Sequence, residues 1–259
     1  MPDALVVEDE PEANNLLSML VQLRGYRTES AFTGAEALAS VARRRPDIVF
    51  LDLMLPDIDG YEVCHALKTR KETTLIPVVM VTARVALENR LRCYRTGADY
   101  YVPKPYTPDQ IFEAMDEAGR WRGLVESDGG VGEFRLETRD EGESLRRFAQ
   151  FGSRLLAGTP LDSDSVSRVS EALRQVGTQA DAWGQKHGVC AIAAFSYRIE
   201  PDRTVMTLRD LSGWLRDDSL SPAERWPDEV ARARFDEVVT DRPAGTVTFV
   251  VRYTGGAAA

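Results

Sequence analysis

Short apolar runs alternating with helical repeats organise the first half of the chain. Ala4–Val7, Ile48–Leu51 and Pro77–Val81 are unbroken apolar stretches, the pattern of strands covered on both faces in a parallel sheet. Tyr26–Phe32 and Ala98–Val102 read as two further strands. Between the strands, apolar positions recur at helical spacing, as in Leu16, Leu17, Leu20 and Leu23 after Pro11, and Ala35, Leu38, Val41 and Ala42 after Gly34. Helices are also predicted over Tyr61–Thr69, Arg84–Arg95 and Ile111–Trp121, with Gly25 and Gly97 as stops. This alternation predicts an α/β fold, a flavodoxin-like doubly wound (βα)5 sheet.

The residues just beyond the strand ends carry chemistry. Glu8 and Asp9 follow the first strand, Asp52 the third, Thr82 the fourth and Lys104 the fifth. A lone Asp at a strand end is more often a turn cap, so the weight falls on the set. In a sheet of order 2-1-3-4-5 the first and third strands flank the switch point, and the three carboxylates converge there. Like charges about 4 Å apart repel by about 4 kcal/mol at an effective dielectric of about 20. A hard divalent cation such as Mg²⁺ relieves that repulsion. Asp52 is then placed to attack a phosphoryl donor, with Lys104 and Thr82 meeting the phosphate oxygens.

From about Leu5 to Trp121 the chain closely resembles the response-regulator receiver domain, in Val7-Glu8-Asp9-Glu10-Pro11, Leu51-Asp52, Pro56-Asp57, Asp59-Gly60, Thr82-Ala83, Gly97-Ala98-Asp99 and Lys104-Pro105. The resemblance implies Asp52 as phosphoacceptor, Asp9 as direct Mg²⁺ ligand with Glu8 as its water-mediated neighbour, and Thr82 with Tyr101 as the switch pair. Glu8 stands where that family usually has Asp. The implied partners are a sensor histidine kinase or phosphotransfer protein, with homodimerisation through the receiver.

A polar break, Gly123–Gly130, separates the receiver (1–122) from a second domain (131–254), with a frayed tail at 255–259. The second domain reads as a strand over Gly132–Arg139, helices over Glu143–Ala157 and Ser163–Gln185, and a hairpin of Val189–Ile199 and Thr204–Leu211. A short helix within Trp226–Val239 and a last strand over Gly245–Tyr253 follow. The order predicts an α+β two-layer sandwich. It resembles the histidine-kinase-type ATPase fold in the branch of anti-sigma-factor serine kinases, through Glu171-Ala172-Leu173, Gly184, Val205 to Asp210 and Gly245 to Phe249. Asp210 aligns with that family's adenine-binding Asp. Gln175 and Gln179 stand where the family has Glu and Asn, Leu211-Ser212-Gly213-Trp214 replaces a glycine-rich turn, and Leu220–Val230 lacks the phosphate loop. The expected output is an anti-sigma-like domain with a degenerate nucleotide site, contacting an unknown protein partner. The alternative is a phosphorylation-gated serine/threonine kinase with a divergent ATP site.

Composition narrows the setting. The chain has 259 residues and a net charge of -9, and no basic helix-turn-helix is legible, so no DNA partner is expected. No apolar run reaches membrane-spanning length and no signal segment opens the chain, so a cytoplasmic protein with no membrane partner is expected. Cys64 and Cys93 read as helix-face residues and Cys190 as strand core, with no metal spacing among the three. His187 reads as a loop residue, and His65 resembles no phosphoacceptor box.

Overall fold

The computed structural model describes residues 1–127, 130–137, 142–218 and 232–253, which fall into two compact units, Met1–Ser127 and Asp128–Ala259. In the first unit, β1 (Asp3–Val7), β2 (Arg27–Ala31), β3 (Ile48–Leu51), β4 (Val78–Thr82) and β5 (Tyr100–Pro103) form one sheet in the order β2-β1-β3-β4-β5. Every pairing is parallel. The helices α1 (Pro11–Leu23), α2 (Gly34–Arg43), α3 (Gly60–Lys68), α4 (Leu87–Arg95) and α5 (Pro108–Ser127) alternate with the strands. The expected flavodoxin-like order is therefore present. β3 and β4 are buried throughout, because apolar cores lie on both faces of the sheet.

Two glycines and two caps position the loops. A Cβ on Gly60 would lie 2.2 Å from the Asp52 carbonyl oxygen and 2.8 Å from Leu53 Cα, so only glycine lets α3 start against the end of β3. Asp59 accepts from the Tyr61 amide at 2.9 Å and caps α3. Asp57 accepts from the Gly34 and Ala35 amides at 2.7 and 2.9 Å, capping α2 from another loop. The Ala35 bond, with the others after it, holds the Asp57 carboxyl below its ordinary range. At the opposite end of the sheet, Lys68 Nζ lies 2.6 Å from Asp99 Oδ2 and donates to the carbonyls of Thr74 and Ile76. The Val78 amide donates to the same carboxylate at 2.8 Å. Gly97, at φ +101°, passes close over the Lys68 stem.

The second unit contains β6 (Val131–Glu137), α6 (Glu143–Gly158), α7 (Ser163–His187), β7 (Ala191–Ile199), β8 (Arg203–Asp210), β9 (Glu237–Asp241) and β10 (Thr246–Arg252). Its strands pair antiparallel in the order β6-β7-β8-β10-β9. Phe148, Leu155, Val169 and Val176 of the helices share one core with Phe195, Met206, Val247 and Phe249 of the strands. The helices thus lie on one face of the sheet. Residues of opposite parity, such as Ser196, Thr207 and Arg209, are half-buried or exposed.

Several boundaries differ from expectation. α5 runs on to Ser127 through residues expected to be linker, since one interior glycine costs only about 1 kcal/mol relative to alanine. β9 occupies Glu237–Asp241, where its alternating burial fits a strand, so the short helix expected within Trp226–Val239 is confined to residues before Glu237; residues 226–231 lie outside the described residues, as do 138–139 of the first expected strand and the tail. Cys190 is exposed just before β7 rather than strand core. Cys64 and Cys93 are buried, which pushes both thiols up to about 12 and leaves them unreactive near neutrality. His187 is the last residue of α7, not a loop residue, and stacks on Trp183 at 4.3 Å.

Removing one partner of a buried pair leaves an uncompensated charge. Lys68→Met is expected to lower the unfolding free energy by about 3–5 kcal/mol, seen as an earlier urea transition at unchanged slope. A shift worth less than about 1 kcal/mol would show that Asp99 does not depend on Lys68.

Candidate functional site

Strand register assembles the site. Val7 lies opposite Leu51, so Glu8 and Asp52 leave their strands side by side. Thr82 lies opposite Pro103, so Lys104 emerges beside it. The Asp52 amide donates to the Val7 carbonyl at 2.9 Å and the Lys104 amide to the Thr82 carbonyl at 2.8 Å. Behind them, buried Asn14 donates to the carbonyls of Val6, Glu8 and Ala31, fixing the end of β1 to β2 and α1. Sequence reasoning missed Asn14; its position after the acidic pair, on the inner side of α1, was the available signal.

Glu8 and Asp52 are nearly fully buried, at 4% and 3% exposure, and Asp9 is exposed. Carboxylate oxygens of the three lie within 4.8 Å of one another. Lys104 Nζ donates to Asp52 Oδ2 at 2.5 Å and also to Glu8 Oε2. Asp52 Oδ1 accepts from the Met54 amide at 3.2 Å. Burial raises the Glu8 pKa above 4.5, with Lys104 pulling the other way. Burial would lower Lys104, but its bonds to Asp52 and Glu8 outweigh that and its pKa is raised. Three converging carboxylates with one cation fit a hard divalent ion such as Mg²⁺, with Glu8, Asp9 and Asp52 as its oxygen donors.

Thr82 is fully buried, and its hydroxyl accepts from the Arg84 amide at 3.3 Å. Tyr101 is half-buried and donates its hydroxyl to the Arg84 carbonyl at 2.7 Å. Both members of the expected switch pair therefore bond to the same residue of the loop after β4.

Asp210 belongs to the second unit. Its Oδ1 accepts from the amides of Ser212, Gly213 and Trp214 at 3.0, 2.8 and 3.1 Å. Its Oδ2 lies 3.5 Å from Arg216 Nε. The carboxylate is occupied in capping the turn after β8, a short 3₁₀ segment over Trp214–Arg216. The Trp214 ring is buried in the core, and Gln179 Oε1 is buried with no hydrogen-bond partner among the described residues.

Residues 4–116 match the family model described as the response regulator receiver domain. The probable transcriptional regulatory protein TcrX of Mycobacterium tuberculosis is 37% identical over 127 residues, 49% of this chain and 53% of that protein. The chain thus spans about half the length of this relative. The phosphate regulon transcriptional regulatory protein PhoB of Rhizobium meliloti is 38% identical over 43% of this chain and 49% of its own. The DNA-binding response regulator MtrA of Mycolicibacterium smegmatis is 29% identical over 195 residues, 71% of this chain and 78% of that protein. The solved chemotaxis response regulator CheY4 of Vibrio cholerae is 26% identical, with TM-score 0.44, over 46% of this chain and 98% of its own. These relatives overturn the expectation of no DNA partner: one is named as DNA-binding, and its similarity extends past the receiver. The physical flaw lay in the charge argument, because a net charge of -9 averages the chain and does not describe a local surface. Among the described residues no helix is long and apolar enough to cross a membrane.

The raised Glu8 pKa fixes the sign of a pH effect. The folded state holds that proton more tightly than the unfolded chain. Its contribution to stability is present below pH 4.5 and is lost as pH rises through the raised value. Without divalent metal, Glu8→Gln is expected to lack this loss between pH 4.5 and neutrality. Magnesium chloride at neutral pH is expected to raise the melting temperature of the wild type more than that of the variant. Identical pH slopes in melting curves of the two proteins would show that Glu8 carries no burial cost.

Proposed function

We propose that the protein, whose residues 4–116 match the response regulator receiver domain, accepts a phosphoryl group on Asp52 from a sensor histidine kinase or a phosphotransfer protein in a cytoplasmic two-component system. The observation that carries this reading is the convergence of Lys104 and three carboxylates at the ends of β1, β3 and β5. A carboxylate oxygen of Asp52 attacks phosphorus as the P–N bond to the donor imidazole breaks. The leaving nitrogen keeps the bonding electron pair, and a P–O bond completes the aspartyl phosphate. Mg²⁺, when bound by Glu8, Asp9 and Asp52, supplies charge neutralisation for the phosphoryl oxygens. Lys104 exchanges its carboxylate bonds for a phosphate oxygen, and the Thr82 hydroxyl donates to another.

The switch follows from the shared attachment to Arg84. Drawing Thr82 towards the phosphate moves the 83–86 loop, and the Arg84 carbonyl carries the Tyr101 ring with it. The surface of α4, β5 and α5 then changes, which is where we place homodimerisation through the receiver. Phosphorylation acts only through its differential interaction with the two states.

For the second unit we propose a protein-interaction module of anti-sigma-like type with a degenerate nucleotide site. Its order of strand, two helices, hairpin and final strands supports the resemblance. The capping role of Asp210 and the buried Trp214 argue against nucleotide binding and against the divergent serine/threonine kinase. A second reading, an output that engages DNA, is favoured by the naming of the relative whose similarity extends past the receiver.

Acetyl phosphate with Mg²⁺ is expected to label the wild type and leave Asp52→Asn unlabelled on intact-mass analysis; equal labelling of the variant would refute the assignment. Calorimetric titration of the protein with Mg-ATP is expected to show no binding, and titration with duplex DNA separates the two output readings. An ATP dissociation constant of tens of micromolar or better, about -6 kcal/mol, would restore the kinase reading, and salt-dependent DNA binding would establish the other.

A further inference from the structure

The open face of the second unit's sheet holds a group of hydrogen-bond donors that neither the Asp52 chemistry nor the core uses. Register places Arg135 opposite Ala194 and Ala194 opposite Arg209, so these three form one row across β6, β7 and β8. Directly paired residues of an antiparallel sheet share a face. Strand spacing of about 4.8 Å sets the two arginine Cα atoms about 10 Å apart, within reach of guanidinium groups converging over Ala194, a small residue that is itself only 5% exposed. Both arginines are exposed, and among the described residues neither side chain makes an ion pair or hydrogen bond. In the next row, Ser196, Thr207 and Thr248 lie side by side, their hydroxyls likewise without a described partner.

With Thr246 beside Arg209, the two rows therefore present two guanidinium groups and four hydroxyls, all able to donate, with acids only at the margins. Glu133 flanks Ser196 on the edge strand β6. Asp241 closes the first row on the other edge strand, β9, opposite Thr246. A donor field bounded by carboxylates selects a compact anion. Planar guanidinium groups match the oxygens of a phosphate, and hydroxyls add donors at the spacing of its other oxygens. A nucleic-acid strand crossing the sheet would bring a negative charge about every 3.4 Å per strand against Glu133 and Asp241. This face also offers no aromatic platform for bases.

We infer that the face centred on Ala194 between Arg135 and Arg209 binds a phosphomonoester carried by a protein partner, a phosphorylated serine or threonine side chain. The inference rests on the second unit being a protein-interaction module and is independent of Asp52 chemistry. The partner's phosphate occupies the position over Ala194, bonded by both guanidinium groups, while its backbone lies along the Ser/Thr row.

The test uses the whole protein carrying ¹³C-methyl alanine, without magnesium, so that the acidic site of the first unit stays silent. Probes are a short peptide with one central phosphoserine, its unphosphorylated form and a single-stranded oligodeoxynucleotide. The Ala194 methyl resonance is expected to shift saturably with the phosphopeptide alone. Arg135→Gln and Arg209→Gln are each expected to weaken binding at least about tenfold, at unchanged melting temperature. Thr207→Ala is expected to weaken it less. A still Ala194 resonance up to millimolar phosphopeptide would overturn the inference, as would undiminished binding in the double arginine variant. Tighter binding of the oligonucleotide at Ala194 would also overturn it, assigning the face to nucleic acid and disfavouring the protein-module reading. Phosphopeptide failure without oligonucleotide binding would leave that reading standing on its ATP and DNA titrations.

Discussion

Two buried carboxylates, Glu8 and Asp52, share one ammonium group, and the first unit is built to bring those three charges together. Carboxylates buried this deeply need a cation in contact, and Lys104 supplies one to both. The cation comes from residue 104, at the end of a strand two places away in the sheet from the nearer carboxylate. The β1–β3 and β4–β5 registers must both hold for this to happen, since a slip of one residue would turn each side chain to the other face. Gly60, the Asn14 clamp and the Asp57 cap hold the loops at this end, while Lys68 and Asp99 secure the other. Lys104 also keeps the site in reserve, because a group that brings negative charge to Asp52 competes for an ammonium already present.

Much of this was legible because strand ends are marked in sequence by an apolar run stopping at a polar residue. Glu8, Asp52, Thr82 and Lys104 were found in that way, and the parallel sheet converts their order into proximity. The supporting groups were not legible because their partners are distant in the chain. Asp57 caps a helix that begins 23 residues earlier, and Lys68 meets a carboxylate on the approach to another strand. Nothing local in either stretch distinguishes such a residue from a solvated charge. The end of α5 was misplaced for a related reason, since Gly123 is a breaker only where neighbouring residues also disfavour helix.

The second unit shows how far residue identity can mislead when the backbone around it differs. Asp210 ends its strand where a resemblance to nucleotide-binding proteins would put an adenine ligand, yet three consecutive amides turn back onto its Oδ1. A carboxylate used in this way stabilises a turn of 3₁₀ geometry and seats Trp214 in the core. Averaged charge misled in the same manner, since an acidic total conceals the exposed Arg135 and Arg209 gathered on one sheet face.

The length of α5 has a mechanical consequence. It contains 20 residues in one uninterrupted helix, about 30 Å from end to end. Ile111, Met115 and Ala118 seat its first half against the receiver core. A helix anchored at one end converts rotation into translation in proportion to its length. A tilt of about 5° at Pro108 would carry Ser127 sideways by about 2.6 Å. A repacking at the core too small to expose any new surface there is thus geared up into a displacement the size of a hydrogen bond at the point where the chain leaves the unit.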